Sequence, residues 1–337
     1  MTNTASTPSV RYEQFTRRAL GTALQARLIA RPNPWVGAVV VAADGSTYEG
    51  CTSAVGGPHA EIHALRRAGE AARASTLYTT LEPCSHTGRT GPCTQAIIDA
   101  GVQRVVVGIV DPDPKVAGTG LNALRAAGIE VELGVLAGQV HSQLLPYIHH
   151  RTTGMPFVVL KMASTLDGKT AAANGTSQWI TGASARQRVH ELRAESDAVL
   201  VGAGTIRADN PELTVRDAEG TSPRRIVLGS APTDAKVHPC TEYSGDLTAL
   251  LHKLGSEDVL QLLVEGGQHV AGAFHRAGLV NRYVFHFAPA IAGGDNAPGI
   301  FSGDAVGDIA DLWRGTISSV QQLDTDIEVV VEVRKEK

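Results

Sequence analysis

Short runs of consecutive apolar residues alternate along this chain with stretches whose apolar positions recur every three or four residues, the pattern of a sheet whose strands are joined by amphipathic helices. The first helical pattern runs from about Tyr12 to Ile29 and stops at the Arg31-Pro32-Asn33-Pro34 turn, after which Val36 to Ala43 reads as a strand. HAEIHALRRAGEAA, which opens at His59, is helical in spacing. TLYTTL, from Thr76 to Leu81, reads as a strand closed by Glu82-Pro83, and Thr94 to Ala100 reads as a helix. The strand Arg104 to Val110, the helix Gly118 to Ala127, the short strand Ile129 to Leu133 and the helix Leu136 to His149 complete a three-layer α/β unit.

The stretch from Arg151 to Pro156, with Gly154 and Pro156, is the best internal boundary, giving domains over residues 10–150 and 155–337. Beyond it a fresh α/β series starts with the strand Phe157 to Met162. Later, the strand Val259 to Val264 passes through Glu265-Gly266-Gly267 into a helix from Gln268 to Ala277. The length of 337 residues supports two domains, each able to bury a core. The first nine or so residues read as a frayed tail.

Composition narrows the classes of function. A net charge of −4 leaves no basic footprint for nucleic acid. MTNTASTPSVRYEQ has no apolar core of a signal peptide, and no run approaches a membrane span, so a cytoplasmic enzyme is expected. Only four cysteines occur, with Cys51 and Cys240 far from the other two, which argues against a disulfide framework.

Those other two carry chemistry. His59, Cys84 and Cys93 supply one imidazole nitrogen and two thiolates, a set that suits tetrahedral Zn²⁺ and leaves the fourth position open, as in catalytic rather than structural sites. Glu61, two residues after the histidine, stands where zinc deaminases place their proton shuttle, although the cysteine spacing is C-x8-C rather than the commoner C-x-x-C. Both ligand segments fall at predicted helix N-termini.

The second half lacks G-x-G-x-x-G, since Gly202-Ala203-Gly204 is followed by Thr205, Ile206 and Arg207. Glu265-Gly266-Gly267 ahead of a helix is a candidate phosphate cradle, because glycine permits close approach and free N–H groups attract anions. Taken singly, Lys161 reads as a strand-end surface lysine, Trp179 as core packing, Arg193 and Arg216 as solvated charges, and Asn33 as a turn residue between prolines.

Their order along the chain says more. RPNPWVGAVVV, HAEIHAL, TLEPCSHTGRTGPC, DPDPKVAGTG, LKMASTLDGKTA, SQWIT, GAGTIRADNPELTVR and LVEGG resemble, in sequence order from about Phe15 to Ala292, the bifunctional deaminase/reductase family of riboflavin biosynthesis. The resemblance implies an N-terminal cytidine-deaminase-like three-layer domain and a C-terminal dihydrofolate-reductase-like domain. It implies two reactions on a pyrimidine ribotide: hydrolytic deamination at C2 of a diaminopyrimidinone, then NADPH-dependent reduction of the ribosyl group to a ribityl chain. A zinc deaminase for free nucleosides or tRNA, with a binding domain behind it, is discouraged by the missing basic patch and by the second set of motifs.

By the same resemblance, His59, Cys84 and Cys93 hold zinc and Glu61 moves the proton, while Asn33, His86 and Arg89 meet the substrate. In the second domain Ser177, Arg193, Leu213, Arg216 and Glu265 match substrate contacts, and Lys161 and Thr181 lie near the sugar. Ala163, Trp179, Thr205, Asp209, Ser230 and the run Gly267, Gln268, His269, Val270, Ala271, Gly272 and Ala273 match NADPH contacts. Lys161 or Asp209 supplies the proton, and Arg207 is placed to meet a 2′-phosphate. The family habit implies a homo-oligomer, a dimer or a tetramer. Two departures stand out: Thr52 replaces the family's usual histidine, and no strand is expected between Ser230 and the helix from Leu247, which points to a loosened or silent reductase half.

Overall fold

The computed structural model describes residues 8–86, 91–114 and 116–333. The chain divides into two units, Met1–Thr153 and Gly154–Lys337.

The first unit comprises α1 (Pro8–Ala23), β1 (Gly37–Val41), β2 (Thr47–Cys51), α2 (Ala60–Ala68), β3 (Thr76–Leu81), α3 (Cys93–Asp99), β4 (Arg104–Ile109), α4 (Thr119–Ala126), β5 (Glu130–Leu133), α5 (Ala137–Gln143) and α6 (Leu145–Thr153). Its sheet runs β2-β1-β3-β4-β5, antiparallel across β1 and parallel from β3 to β5. β1 is buried along its whole length because a helix covers each face. A Cβ on Gly37 would lie 2.0 Å from the Ala19 carbonyl oxygen of α1, and one on Gly50 would lie 2.3 Å from that of Ala60 in α2. The two glycines let helix backbones rest on opposite faces of the sheet. Ala19, Val39, Val41, Tyr78 and Val106 form a core cluster there, and each fully buried large side chain stabilises the fold by about 1.5–3 kcal/mol.

Several expected elements differ in detail. The first helix stops at Ala23 and gives way to a 3-10 turn at Leu24–Ala26. β2 was not expected: TYEGC is half-buried and carries little apolar signal. The helix expected from Leu136 to His149 is two helices, with Pro146 in the first turn of α6, where its missing N–H costs nothing.

The second unit comprises β6 (Phe157–Thr165), α7 (Ala183–Ala194), β7 (Ala198–Gly202), α8 (Ala203–Asp209), β8 (Arg224–Leu228), β9 (Thr241–Tyr243), α9 (Leu247–Ser256), β10 (Gln261–Val264), α10 (Gln268–Arg276), β11 (Arg282–Ala288), β12 (Gly315–Leu323) and β13 (Asp326–Val333). Its sheet runs β12-β13-β11-β6-β10-β7-β8-β9. The strands from β11 to β9 are parallel, and β12 and β13 add an antiparallel hairpin. Val158, Leu160, Leu200, Leu262 and Val264 meet Leu250, Leu254 and Phe274 of the covering helices in one core. The strand after Ser230 is present after all: β9 pairs with β8 through Ile226, Val227 and Leu228. At three residues on a sheet edge, it leaves almost no periodic trace in the sequence. No helix among the described residues is long and apolar enough to cross a membrane.

Candidate active sites

In the first unit two helix starts and a strand end converge. His59 is the extended residue that precedes α2, and Cys93 is the first residue of α3 and fully buried. Cys84 follows β3 after Glu82 and Pro83. His59 Nδ1 lies 3.3 Å from Cys93 Sγ and 3.6 Å from Cys84 Sγ, and the three ligand atoms fall within 4.8 Å of one another. Ordinary Zn–N and Zn–S lengths at tetrahedral angles put nitrogen and sulfur about 3.6 Å apart, so the three side chains fit a single zinc without rearrangement. The Cys93 N–H donates to Cys84 Sγ at 3.4 Å.

Electrostatics favour a cation at that point. Hydrogen bonding from Cys93 and His59 pulls the Cys84 thiol down to about 4 against the effect of burial. The same proton is held by Cys93, whose thiol is pushed up by the neighbouring sulfur and by burial. A bound dication would displace that proton and make both groups thiolates. Glu61, in the first turn of α2, is 4% exposed, and its Oε2 lies 3.6 Å from Cys93 Sγ. Burial pushes its carboxyl up to about 7. A carboxyl of that strength beside an open metal position can take and return a proton near neutral pH.

The other first-domain positions are less concentrated. Asn33 is half-buried in the turn before β1, and its N–H donates to the Ala30 carbonyl. His86 is exposed two residues beyond Cys84, and Arg89 lies outside the described residues. Thr52 is 3% exposed; its hydroxyl accepts from the Val36 N–H at 3.0 Å and donates to the Val36 carbonyl at 3.4 Å. That hydroxyl is therefore occupied by the backbone of the fold.

In the second unit the parallel strands direct their C-terminal ends to one edge of the sheet, the usual place for ligands in such folds. Gly202, the last residue of β7, caps the start of α8, and Gly267 caps the start of α10 after β10. A Cβ on Gly266 would lie 2.4 Å from Val270 Cβ, and one on Gly267 would lie 3.5 Å from Thr205 Oγ1, so the starts of the two helices lie side by side. Ala163 is on β6 opposite His286, and Ser230 is exposed just past β8. Gln268 and His269 open α10, whereas Ala271 and Gly272 are buried beneath it and Ala273 is half-buried.

Charge is gathered under α7. Arg193 grips Glu265 with two bonds, Nε to Oε1 at 2.7 Å and Nη2 to Oε2 at 2.8 Å, and both side chains are 11% exposed. Arg193 also donates to the Thr214 carbonyl. Burial pushes the Glu265 carboxyl up, but Arg193 outweighs it and holds the group below its ordinary value. Lys161 is a half-buried residue of β6, not a surface lysine at a strand end, and burial lowers its pKa to about 8. Arg193 is likewise no solvated charge. Arg216 is exposed as expected, and its guanidinium donates to Glu212 and to Thr214 Oγ1.

Trp179 is 70% exposed with Arg186 above its ring, which excludes a core-packing role. Ser177 donates its hydroxyl proton to Asp209 Oδ1 at 2.7 Å. Thr181 is buried, its carbonyl taken by Arg186. Leu213 is buried with a left-handed backbone, φ 56°. Arg207 is exposed in the last turn of α8.

Known proteins share both halves. The family described as the cytidine and deoxycytidylate deaminase zinc-binding region matches residues 9–109, and the RibD C-terminal domain matches residues 156–329. The riboflavin biosynthesis protein RibD of Escherichia coli is 37% identical over 358 residues, spanning 94% of this chain and 97% of its own. The RibD chain is 40% identical to ours in Mycobacterium tuberculosis, over 88% of this chain and 90% of its own.

This chain belongs to the RibD family.

The solved RibD structure from Acinetobacter baumannii agrees in fold, with a TM-score of 0.91 at 36% identity over 97% of this chain and 100% of its own. A deaminase/reductase of this type from Thermotoga maritima gives a TM-score of 0.87 at 35% identity over 97% and 99%. As a RibD protein of riboflavin biosynthesis, the chain pairs a cytidine-deaminase-like, zinc-binding domain with a dihydrofolate-reductase-like domain of the type that uses NADPH. A silent reductase half and a nucleoside or tRNA deaminase are both less well supported than this bifunctional RibD reading. Two polar features of the structure left little trace in the sequence: Glu82, treated only as the end of a strand, and the buried pair His286 and Glu328 with half-buried Arg188. His286 Nε2 lies 2.9 Å from Glu328 Oε2, which also accepts from Arg188 at 3.3 Å. His286 between two phenylalanines of β11, and Glu328 beside the valine run of β13, were the available signal for that set.

Proposed function

We propose that His59, Cys84 and Cys93 hold the catalytic zinc and that the chain deaminates 2,5-diamino-6-ribosylamino-4(3H)-pyrimidinone 5′-phosphate and then reduces its ribosyl group. The observation that carries this reading is the His59–Cys84–Cys93 cluster with buried Glu61 against it. Zinc, when bound, supplies a Lewis acid that brings the ionisation of water close to neutrality. Adding water to C2 and expelling ammonia requires one group to accept a proton and then return it. Glu61, raised to about 7, does both: it takes the proton from the water and delivers it to the departing amine. Asn33, His86 and Arg89 orient the ring and its phosphate.

In the second unit NADPH supplies a hydride to C1′ of the sugar. Opening of the ribose ring puts an electron pair on the ring oxygen, and Lys161 provides the proton there. Its pKa of about 8 makes it a better donor near neutral pH than an ordinary lysine, whereas Asp209 is engaged as an acceptor by Ser177. Ser177, Thr181, Arg193, Leu213, Arg216 and Glu265 bind the ribotide, with the Arg193–Glu265 pair keeping the carboxylate fixed. Ala163, Trp179, Thr205, Asp209, Ser230 and residues 267–273 would hold NADPH, and the start of α10 offers free N–H groups of the kind that attract phosphate. Arg207, exposed in the last turn of α8, would meet the 2′-phosphate.

The chain acts in the cytoplasm as a homo-oligomer with no nucleic-acid partner. Its four cysteines are free, as a reducing compartment keeps them. Ile317 and Val320 are 62% and 63% exposed, and the irregularity between Ile317 and Ser319 brings both onto the sheet face of Val331 and Val329. Phe285 and Phe287 stack beside them, half-buried, on an apolar face that a second copy of this chain covers.

The test supplies the diaminopyrimidine ribotide with and without NADPH and follows ammonia and cofactor absorbance separately. Ammonia appears in both reactions, and NADPH oxidation follows it only where NADPH is added. Ammonia with no NADPH oxidation would reject the reductase assignment, and no ammonia would reject the deaminase assignment.

A further inference from the structure

Glu82 stands at the end of β3, directly before Pro83 and Cys84, and the chemistry above makes no use of it. Its side chain is buried, 3% exposed, and both carboxylate oxygens are filled by backbone donors. Oε1 accepts from the N–H groups of Gly120 at 2.8 Å and Leu121 at 3.2 Å. Oε2 accepts from Gly118 at 2.9 Å and Asp111 at 3.2 Å. Gly118 caps α4, and Gly120 and Leu121 lie in its first turn, so a side chain just past β3 satisfies free donors at the start of a helix far along the sequence.

That helix start rests on the strand end that carries a metal ligand. A Cβ on Gly120 would lie 2.0 Å from the Pro83 carbonyl oxygen. On the other side of Cys84, Ser85 Oγ and Thr119 Oγ1 are 2.8 Å apart. Cys84 is thus flanked by two links to the same segment, while its own carbonyl accepts from Thr94 N–H at 3.1 Å. Only a carboxylate, with about four acceptor sites on two oxygens, satisfies all four donors. A glutamine in its place accepts through one oxygen and turns an NH2 towards two backbone N–H groups.

We propose that Glu82 is a positioning residue for the metal centre: it locks the 111–121 segment onto Pro83 and so holds Cys84 Sγ in register with His59 Nδ1 and Cys93 Sγ. The proposal rests on those three residues being the zinc ligands. It predicts that the site loses metal, rather than substrate affinity, when the lock is broken.

The test uses the full-length chain carrying Glu82→Gln, with three readouts: the rate of zinc loss to a chromophoric chelator, kcat and KM for ammonia release, and NADPH oxidation on ribotide that is already deaminated. Zinc retention is expected to weaken by about 10- to 100-fold, the usual effect of removing a group that orients a ligand. kcat falls, KM stays within about two-fold, and NADPH oxidation is unchanged, since the second unit does not contain Glu82. If that chain does not fold, Glu82→Asp, which keeps the carboxylate but shortens its reach, decides by the same readouts with a smaller loss of zinc. Wild-type zinc retention, or a change confined to KM, overturns the proposal. Cys84→Ala separates the two readings: if it keeps its zinc, the ligand assignment fails, and if it loses zinc while Glu82→Gln retains it, only the role of Glu82 fails.

Discussion

The His59–Cys84–Cys93 cluster of the first unit and the polar residues proposed for the second unit's site are held in place by different means. His59 and Cys93 sit at the starts of helices, and Cys84 just beyond a strand, so the ends of these elements bring the three side chains to one place. The residues proposed for the second unit's site instead depend on side chains that meet across the fold: Arg193 of α7 reaches Glu265 beyond β10, and Ser177 reaches Asp209 at the end of α8. A site built on element ends fails when a ligand is removed and loosens when the group that fixes one of those ends, as Glu82 does beside Cys84, is lost. A site built on buried ion pairs is sensitive to any partner, because removing one leaves the other as an uncompensated charge.

Substitutions break this contrast in order of severity. Cys84→Ala removes a ligand outright; the chain should lose its zinc and about 10³-fold or more of ammonia release, while NADPH oxidation on deaminated ribotide is retained. Metal analysis and the two assays check this. Glu61→Gln should keep zinc and lose about 10²- to 10⁴-fold in ammonia release, the range for removing a general acid–base. Retention of full activity would exclude a proton-transfer role.

Arg193→Ala strands Glu265 in a half-buried site and should destabilise the second unit by about 3–5 kcal/mol, read as a lower unfolding midpoint with the zinc content unchanged. A midpoint unchanged within error would show that Glu265 finds another partner.

Lys161 gives the contrast a pH dependence. Its folded pKa, about 8, lies below the ordinary 10.5, so the folded state binds the proton less tightly than the unfolded state. The charged lysine therefore costs stability at pH 7, and stability rises as the pH climbs from about 8 towards the unfolded value. Lys161→Met should be more stable than the parent at pH 7, by about 1–3 kcal/mol, with the gap closing above pH 8 while NADPH oxidation is lost. A gap that is constant with pH would mean that the lysine is not neutralised by burial. Arg216→Ala, the mildest change, should leave stability within about 0.5 kcal/mol because the side chain is exposed, and should raise KM for the ribotide in the reductase assay alone.

The same contrast explains what could be read from the chain. The cluster of His59, Cys84 and Cys93 with Glu61 was legible because these residues sit at the boundaries of strongly periodic elements, where a strand or helix start can be placed from apolar spacing. β2 and β9 were not: TYEGC and TEY are short, polar edge strands whose pairing is decided by the neighbouring strand. The Leu136 to His149 pattern hid a break because Pro146 falls in the first turn of a second helix, where proline is compatible with helical spacing. Lys161 and Arg193 read as surface charges because single-residue preferences carry no information about a partner on a distant element. Glu82 was invisible for a related reason, since its four partners are backbone groups of a segment that lies far along the sequence.

The independence of the two centres is tested most directly by the Glu61→Gln chain supplied with deaminated ribotide and NADPH. NADPH oxidation should proceed at the parent's rate, while the same chain releases almost no ammonia from the diaminopyrimidine ribotide. Failure to oxidise NADPH on the deaminated ribotide, with zinc still bound, would contradict the account of two separately built sites.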